Sequence, residues 1–211
     1  MLWPEVMALI RRSRMLALAT HSTHMPGYPH VSWLPTVADE AGRPLVVISR
    51  LAEHTQNILQ NHKVSVLLHD DDMALEKARL TILGDLQPVA PDELLAARLA
   101  RYNPQLAACL DMGDFSVWRL WPRRARLIAG FGRMGWVEGD EWESAAALTL
   151  AQEAELIAAS VIGAGELLGV DLAGCDIRLG EQIRRFEFAT ICHDATGVAQ
   201  ALKHIARDIT A

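Results

Sequence analysis

The chain has 211 residues, 51% of them hydrophobic, and a formal net charge of −6. That is enough for one large domain or two small ones with a substantial core. The acidic balance argues against a general nucleic-acid binder, and no apolar run approaches the length of a membrane span.

Pro4 to Arg14 reads as a short amphipathic helix. The basic cluster Arg11, Arg12, Arg14 follows the first apolar stretch rather than preceding it, the wrong order for a signal peptide. Three scattered cysteines, Cys109, Cys175 and Cys192, lack metal-site spacing and point to a reducing, cytoplasmic setting. Met15 to Thr20 is a short apolar run ending in a polar loop. His30 to Val37 and Pro44 to Ser49 read as a strand pair across the turn Asp39-Glu40-Ala41-Gly42. Glu53 to Asn61 is a short helix and Lys63 to His69 a strand. An acidic loop, Asp70 to Lys77, precedes a long strand, Arg79 to Val89, with Gly84 as its bulge.

Pro91 to Tyr102 is a helix with proline at its start, broken at Asn103-Pro104. A short helix, Gln105 to Leu110, follows. Phe115 to Leu120 and Arg124 to Ile128 are expected as two strands joined by a turn at Trp121-Pro122-Arg123. Composition changes after Gly139-Asp140, the expected boundary between a domain of residues 1–138 and a module of residues 139–211. Trp142 to Leu168 is Ala-, Glu- and Leu-rich and reads as helix interrupted at Gly163. Cys175 to Leu179 and Ile183 to Phe188 form a hairpin, and Thr196 to Ile209 closes the chain as a helix. The expected class is α+β: a barrel of short strands, then a small α-β-β-α module.

Chemistry concentrates in Ser49 to Asn57. Backbone N–H groups at a helix start, with Arg50, His54 and two hydroxyls beside them, suit a phosphate. The same residues also suit simple capping of a surface helix. Residues 115–137 carry five arginines and no acid, which suits a small anion, a charged subunit interface or a solvated basic face. Gly130-Phe131-Gly132-Arg133-Met134 pairs two glycines, which permit close backbone approach, with one cation. His21, His24 and His30 lie in or beside one loop without a third fixed metal ligand. No side chain stands out as a nucleophile or general base.

Four stretches carry a family resemblance: LALATHSTHMPGYPHVSWLPTVAD, PLVVISRLAEHTQNILQNHKVSVLL, ARLTILGDLQPV and GDFSVWRLWPRRARLIAGFGRMGW. In content, order and spacing they resemble the FMN-binding split β-barrel of pyridoxamine 5′-phosphate oxidase-like proteins, and in particular the haem-utilisation branch. The last 70 or so residues resemble the small module attached in that branch. The resemblance implies a homodimer with FMN at the subunit interface and a small-molecule substrate, without nucleic-acid or membrane partners. It places the flavin phosphate at Ser49, Arg50, His54 and Thr55, with His54 where some relatives use Lys. Ser32, Trp33, Arg79 and Thr81 become flavin contacts, and Trp118 stacks on the flavin from the partner subunit. Arg133 would pair with a haem propionate or flavin phosphate, and His193 is a candidate haem-iron ligand.

The function so implied is an FMN-binding oxidoreductase. The alternatives are a haem-binding or haem-degrading protein, and a non-catalytic binding protein that has lost its cofactor. Pyridoxamine phosphate oxidase itself is not expected, because its Arg-rich C-terminal signature is missing. A bound flavin would carry redox chemistry itself, which is consistent with the lack of a protein nucleophile.

Overall fold

The structure, a computed structural model, describes residues 2–69, 78–130 and 132–210; the expected acidic loop Asp70 to Lys77 lies outside them. In chain order the elements are α1 (Trp3–Arg12), β1 (Met15–His21), β2 (Pro29–Pro35), β3 (Val37–Ala38), β4 (Pro44–Ser49), α2 (Glu53–Gln60), β5 (Lys63–His69) and β6 (Arg79–Val89). They continue with α3 (Glu93–Tyr102), α4 (Pro104–Cys109), β7 (Phe115–Ile128), β8 (Met134–Glu138), α5 (Asp140–Ser144), α6 (Leu150–Ala159), β9 (Glu166–Val170), β10 (Gly174–Leu179), β11 (Gln182–Glu187) and α7 (Ala195–Thr210).

Two compact units result: Met1–Pro91 with Gln105–Ala145, and Asp92–Pro104 with Ala146–Ala211. A single cut at Gly139-Asp140 does not describe this division. Trp142, beyond that cut, is fully buried in the core of the first unit, edge-on to Trp3 at 4.9 Å. Helix α3 belongs to the second unit, although it precedes the end of the first by more than 40 residues.

The first unit is a curled antiparallel sheet in the order β2-β1-β5-β6-β7-β4-β3, with β8 also paired to β7. It is a split barrel. Period-two alternation decides its faces: Leu16, Leu18, Val64, Val66, Leu68, Leu80, Ile82 and Leu120 point inward and are buried. Each such side chain stabilises the unit by roughly 1.5–3 kcal/mol. The turn after β3 forms as its sequence suggests. Asp39 accepts from the backbone N–H groups of Ala41 and Arg43, and Gly42 takes the positive φ of 76° that favours glycine there.

Strand β7 corrects one expectation, since residues 115–128 run unbroken through Trp121-Pro122-Arg123. Strand β6 pairs with β7 along its full length, and the register slips between Leu83 and Gly84, opposite Pro122 to Arg124. The bulge expected at Gly84 absorbs the irregularity that proline introduces. A Cβ on Gly84 would collide with the Trp121 carbonyl oxygen. Residues 115–119 of β7 pair with β4 and residues 124–128 with β8, so the strand forks the sheet.

The second unit holds a three-stranded sheet, β11-β10-β9. The expected helix Trp142 to Leu168 resolves into α5, α6 and strand β9. Thr149 and Gln152 form a capping box that starts α6 afresh. The apolar run 167–170 lacks alternation because β9 is buried on both faces. Leu167, Val170, Cys175 and Ile177 pack with Leu156, Val198 and Leu202 in one apolar cluster. Asp176, pointing the opposite way from Cys175 and Ile177, meets Tyr102 of α3.

Candidate functional site

Two regions of the first unit carry the chemistry. The first is the start of α2. Ser49 Oγ donates to Asp114 Oδ2 at 2.6 Å and accepts from the Leu51 N–H at 3.1 Å. Thr55 Oγ1 donates to the Ser49 carbonyl at 2.7 Å. Both hydroxyls nominated for a phosphate are therefore committed to protein partners, and a carboxylate stands beside Ser49. Arg50 remains the exposed cation of this turn.

His54 looks toward β2. Its Nδ1 lies 3.0 Å from Ser32 Oγ, Ser32 Oγ lies 3.3 Å from His30 Nε2, and His30 Nδ1 lies 3.2 Å from Glu53 Oε1. One assignment satisfies every contact: His54 Nδ1–H donates to Ser32, Ser32 to His30, and His30 to Glu53. His54 Nε2 is buried without a hydrogen-bond partner. Burial pushes the His54 pKa down, and the neighbouring His30 acts in the same direction. At neutral pH this imidazole is uncharged and adds no attraction for an anion. Asn57, a residue the sequence marks only as part of the turn, is the anchor here. It is fully buried, accepts from Thr23 N–H and Oγ1–H, and donates to Thr20 Oγ1.

The second region is the outer face of the sheet. Register aligns Trp33, Ala17, Leu67, Thr81, Arg126 and Trp136 in one row across six strands. Trp33 is 54% exposed, Leu67 38% and Trp136 45%. Trp33 stacks on His69 at 5.7 Å. Arg124 and Arg126 lie over the Trp136 ring at 4.1 and 5.2 Å. Arg79 is exposed two residues before Thr81 on the same face. A cavity of about 580 Å³ opens beside the next row, Ala19, Ser65 and Leu83; none of the expected flavin contacts lines it, whereas His21 and Arg123 of the arginine-rich stretch do.

The nominated residues therefore separate. Ser32 faces α2, whereas Trp33, its neighbour, faces outward. Arg79, Thr81 and Trp33 share the outer face. Trp118 is a core residue, 6% exposed, with its indole N–H donating to Ser116 Oγ at 3.0 Å. Arg133 sits exposed in the turn between β7 and β8 and pairs with Glu5 at 2.5 Å. Gly130 and Gly132 in that turn have φ of 101° and 77°, while Phe131 lies outside the described residues. His193 is exposed in the second unit. Among the described residues no group of three or more side chains is placed to hold a metal ion. The sequence reading has Arg126 only as one of five clustered arginines, and it names neither Leu67, whose outward direction strand alternation assigns, nor Trp136, whose strand β8 it does not foresee.

Residues 2–129 match the pyridoxamine 5'-phosphate oxidase family. The chain belongs to that family. It is 31% identical over 157 residues to the non-canonical heme oxygenase HOZ, chloroplastic, of Arabidopsis thaliana, a match covering 72% of this chain and 49% of that relative. The chain thus spans about half the length of the plant protein. Over 147 residues it is 30% identical to the heme oxygenase HutZ of Vibrio cholerae, covering 65% of this chain and 82% of HutZ. Among solved structures it superposes on a protein of unknown function from Agrobacterium tumefaciens with a TM-score of 0.72 and 20% identity, covering 95% and 93% of the two chains. A heme binding protein from Mycobacterium smegmatis gives 0.61 and 24%, covering 98% and 96%. At these identities the two structures establish the fold, over nearly the whole chain. No described helix is long and apolar enough to cross a membrane.

Proposed function

We propose that this member of the pyridoxamine 5'-phosphate oxidase family binds haem on the outer face of its sheet and acts in haem degradation. The observation that carries the reading is the in-register row Trp33, Ala17, Leu67, Thr81, Arg126 and Trp136, which exposes Trp33, Leu67 and Trp136 on one face, with Arg79 beside it and Arg126 lying over the Trp136 ring. Such a surface suits a planar, largely apolar ring with anionic substituents. The names of the two relatives at 30% identity or above point the same way.

Bound haem would supply an iron centre able to react with oxygen. The chain would hold the ring by apolar contact at Trp33, Leu67 and Trp136 and exclude water from that side. A second copy of the chain would cover the outer face, making the working form a homodimer with the ligand at its interface. FMN is the competing ligand. Its expected phosphate site has both hydroxyls committed, Asp114 beside Ser49 and a neutral His54, so haem is preferred.

A haem titration tests this. A shifted Soret band with one site per subunit supports it, as does weakening in Trp33→Ala and Trp136→Ala. Loss of the band under reductant and oxygen would mark degradation, and its persistence a non-catalytic store. An unchanged haem spectrum, together with quenching of FMN fluorescence, would replace this reading by the flavin one.

A further inference from the structure

We propose that the cavity beside Lys63 receives the carboxylate-bearing edge of the ring, an inference that rests on the haem reading above. The cavity is a recess of about 580 Å³ whose lining includes Tyr28, Lys63, Ser65, Leu83, Asp85 and Arg123. Its floor, Ala19, Ser65 and Leu83, is the row adjacent to Ala17, Leu67 and Thr81, so recess and apolar row form one continuous surface. From Leu67 to Lys63 along β5 is about 13 Å, comparable with the width of a porphyrin. A ring seated over Leu67 and Leu83 therefore brings one edge to Lys63.

The donors there suit carboxylates. Lys63 is exposed and has no acidic partner among the described residues. Arg123 Nε is held by Asp85 Oδ2 at 2.7 Å, which leaves its terminal nitrogens to donate outward. Asp85 is the one acid of the lining, and its contact with Arg123 offsets its charge. At the rival edge the Arg126 guanidinium already lies over the Trp136 ring.

The test compares iron-free protoporphyrin IX with its dimethyl ester, each titrated against the full chain by tryptophan quenching, with ferric haem as a third ligand. The wild type should bind the diacid more tightly than the diester. Lys63→Gln should weaken the diacid by about three- to tenfold and leave the diester unchanged, while Lys63→Arg retains the preference. Arg126→Gln should leave the diacid-to-diester ratio intact. A ratio unchanged by Lys63→Gln, or one that collapses in Arg126→Gln instead, overturns the inference while the haem reading stands. Failure of all three ligands to bind overturns both.

Discussion

Ser32 Oγ lies 3.0 Å from His54 Nδ1, and this contact joins the outer strand β2 to the first turn of α2. It holds the His54 ring half-buried between a serine and a second histidine. The family resemblance implies both residues as cofactor contacts; in the structure each is engaged by the other.

That pairing has a pH consequence. Burial, then His30, holds the His54 pKa below its ordinary 6.5 in the folded state. A depressed folded-state pKa contributes stability that is present above the unfolded value and lost as pH falls through the folded one. An NMR titration of His54 should therefore show a midpoint below 6.5. The urea midpoint should fall more steeply between pH 7 and about pH 5 in the wild type than in His54→Gln. A His54 midpoint above 6.5 contradicts the burial argument.

Asn57 should matter more to stability than Arg50. Asn57→Ala removes three hydrogen bonds, one of them the buried contact to Thr20 Oγ1, and empties the space of a fully buried side chain, at a cost of about 1–3 kcal/mol. Arg50→Ala, at an exposed position, should stay within about 0.5 kcal/mol. Urea denaturation of the two variants decides this, and equal losses would refute the anchoring role.

In the second unit, Arg98 and Glu153 form a buried ion pair, and the Val170 N–H also donates to Glu153 at 3.1 Å. Replacing Glu153 alone by Leu removes the carboxylate paired with a buried guanidinium and should cost about 3–5 kcal/mol. The double variant Arg98→Met/Glu153→Leu should lose less than either single one. A strictly additive double-mutant cycle would show that the two charges do not depend on each other.

Gly84→Ala tests the bulge. The added methyl meets the Trp121 backbone, which cannot rotate away as a flexible side chain would. The expected loss is about 1–3 kcal/mol, read from the thermal midpoint. A neutral substitution would mean that β6 and β7 slide apart there at no cost.

The outer face should also report on assembly. Leu67 is exposed at the centre of the row, so Leu67→Asp places a charge on the surface proposed to meet a second copy. Sedimentation velocity should give a dimer for the wild type and a monomer for the variant. A monomeric wild type would remove the dimer from the proposal without touching the haem titration.

Much of this was legible in advance, for local reasons. Alternation in residues 63–69 and 79–89 assigns an inner and an outer face before any partner strand is known. Asp39-Glu40-Ala41-Gly42 announces its turn, and Gly84 its bulge. Reading failed where a local signal was overridden from a distance. Pro122 looks like a strand breaker, but pairing with the full length of β6 carries β7 through it. Residues 166–170 look like the tail of a helix, because a strand buried on both faces shows no period.

The sequence by itself determined the family and its split barrel, through the resemblance that four stretches carry, and the direction of side chains along its alternating strands, through their period. Only the tertiary structure decided which outward residues meet. Trp33 and Trp136 lie more than a hundred residues apart, and only hydrogen-bond register across β2, β1, β5, β6, β7 and β8 sets them in one row. By the same cause Ser49 and Thr55, correctly placed at a helix start, find partners in Asp114 and the backbone of the strand before them. Register and close packing assign partners between distant segments, and no local pattern encodes that assignment.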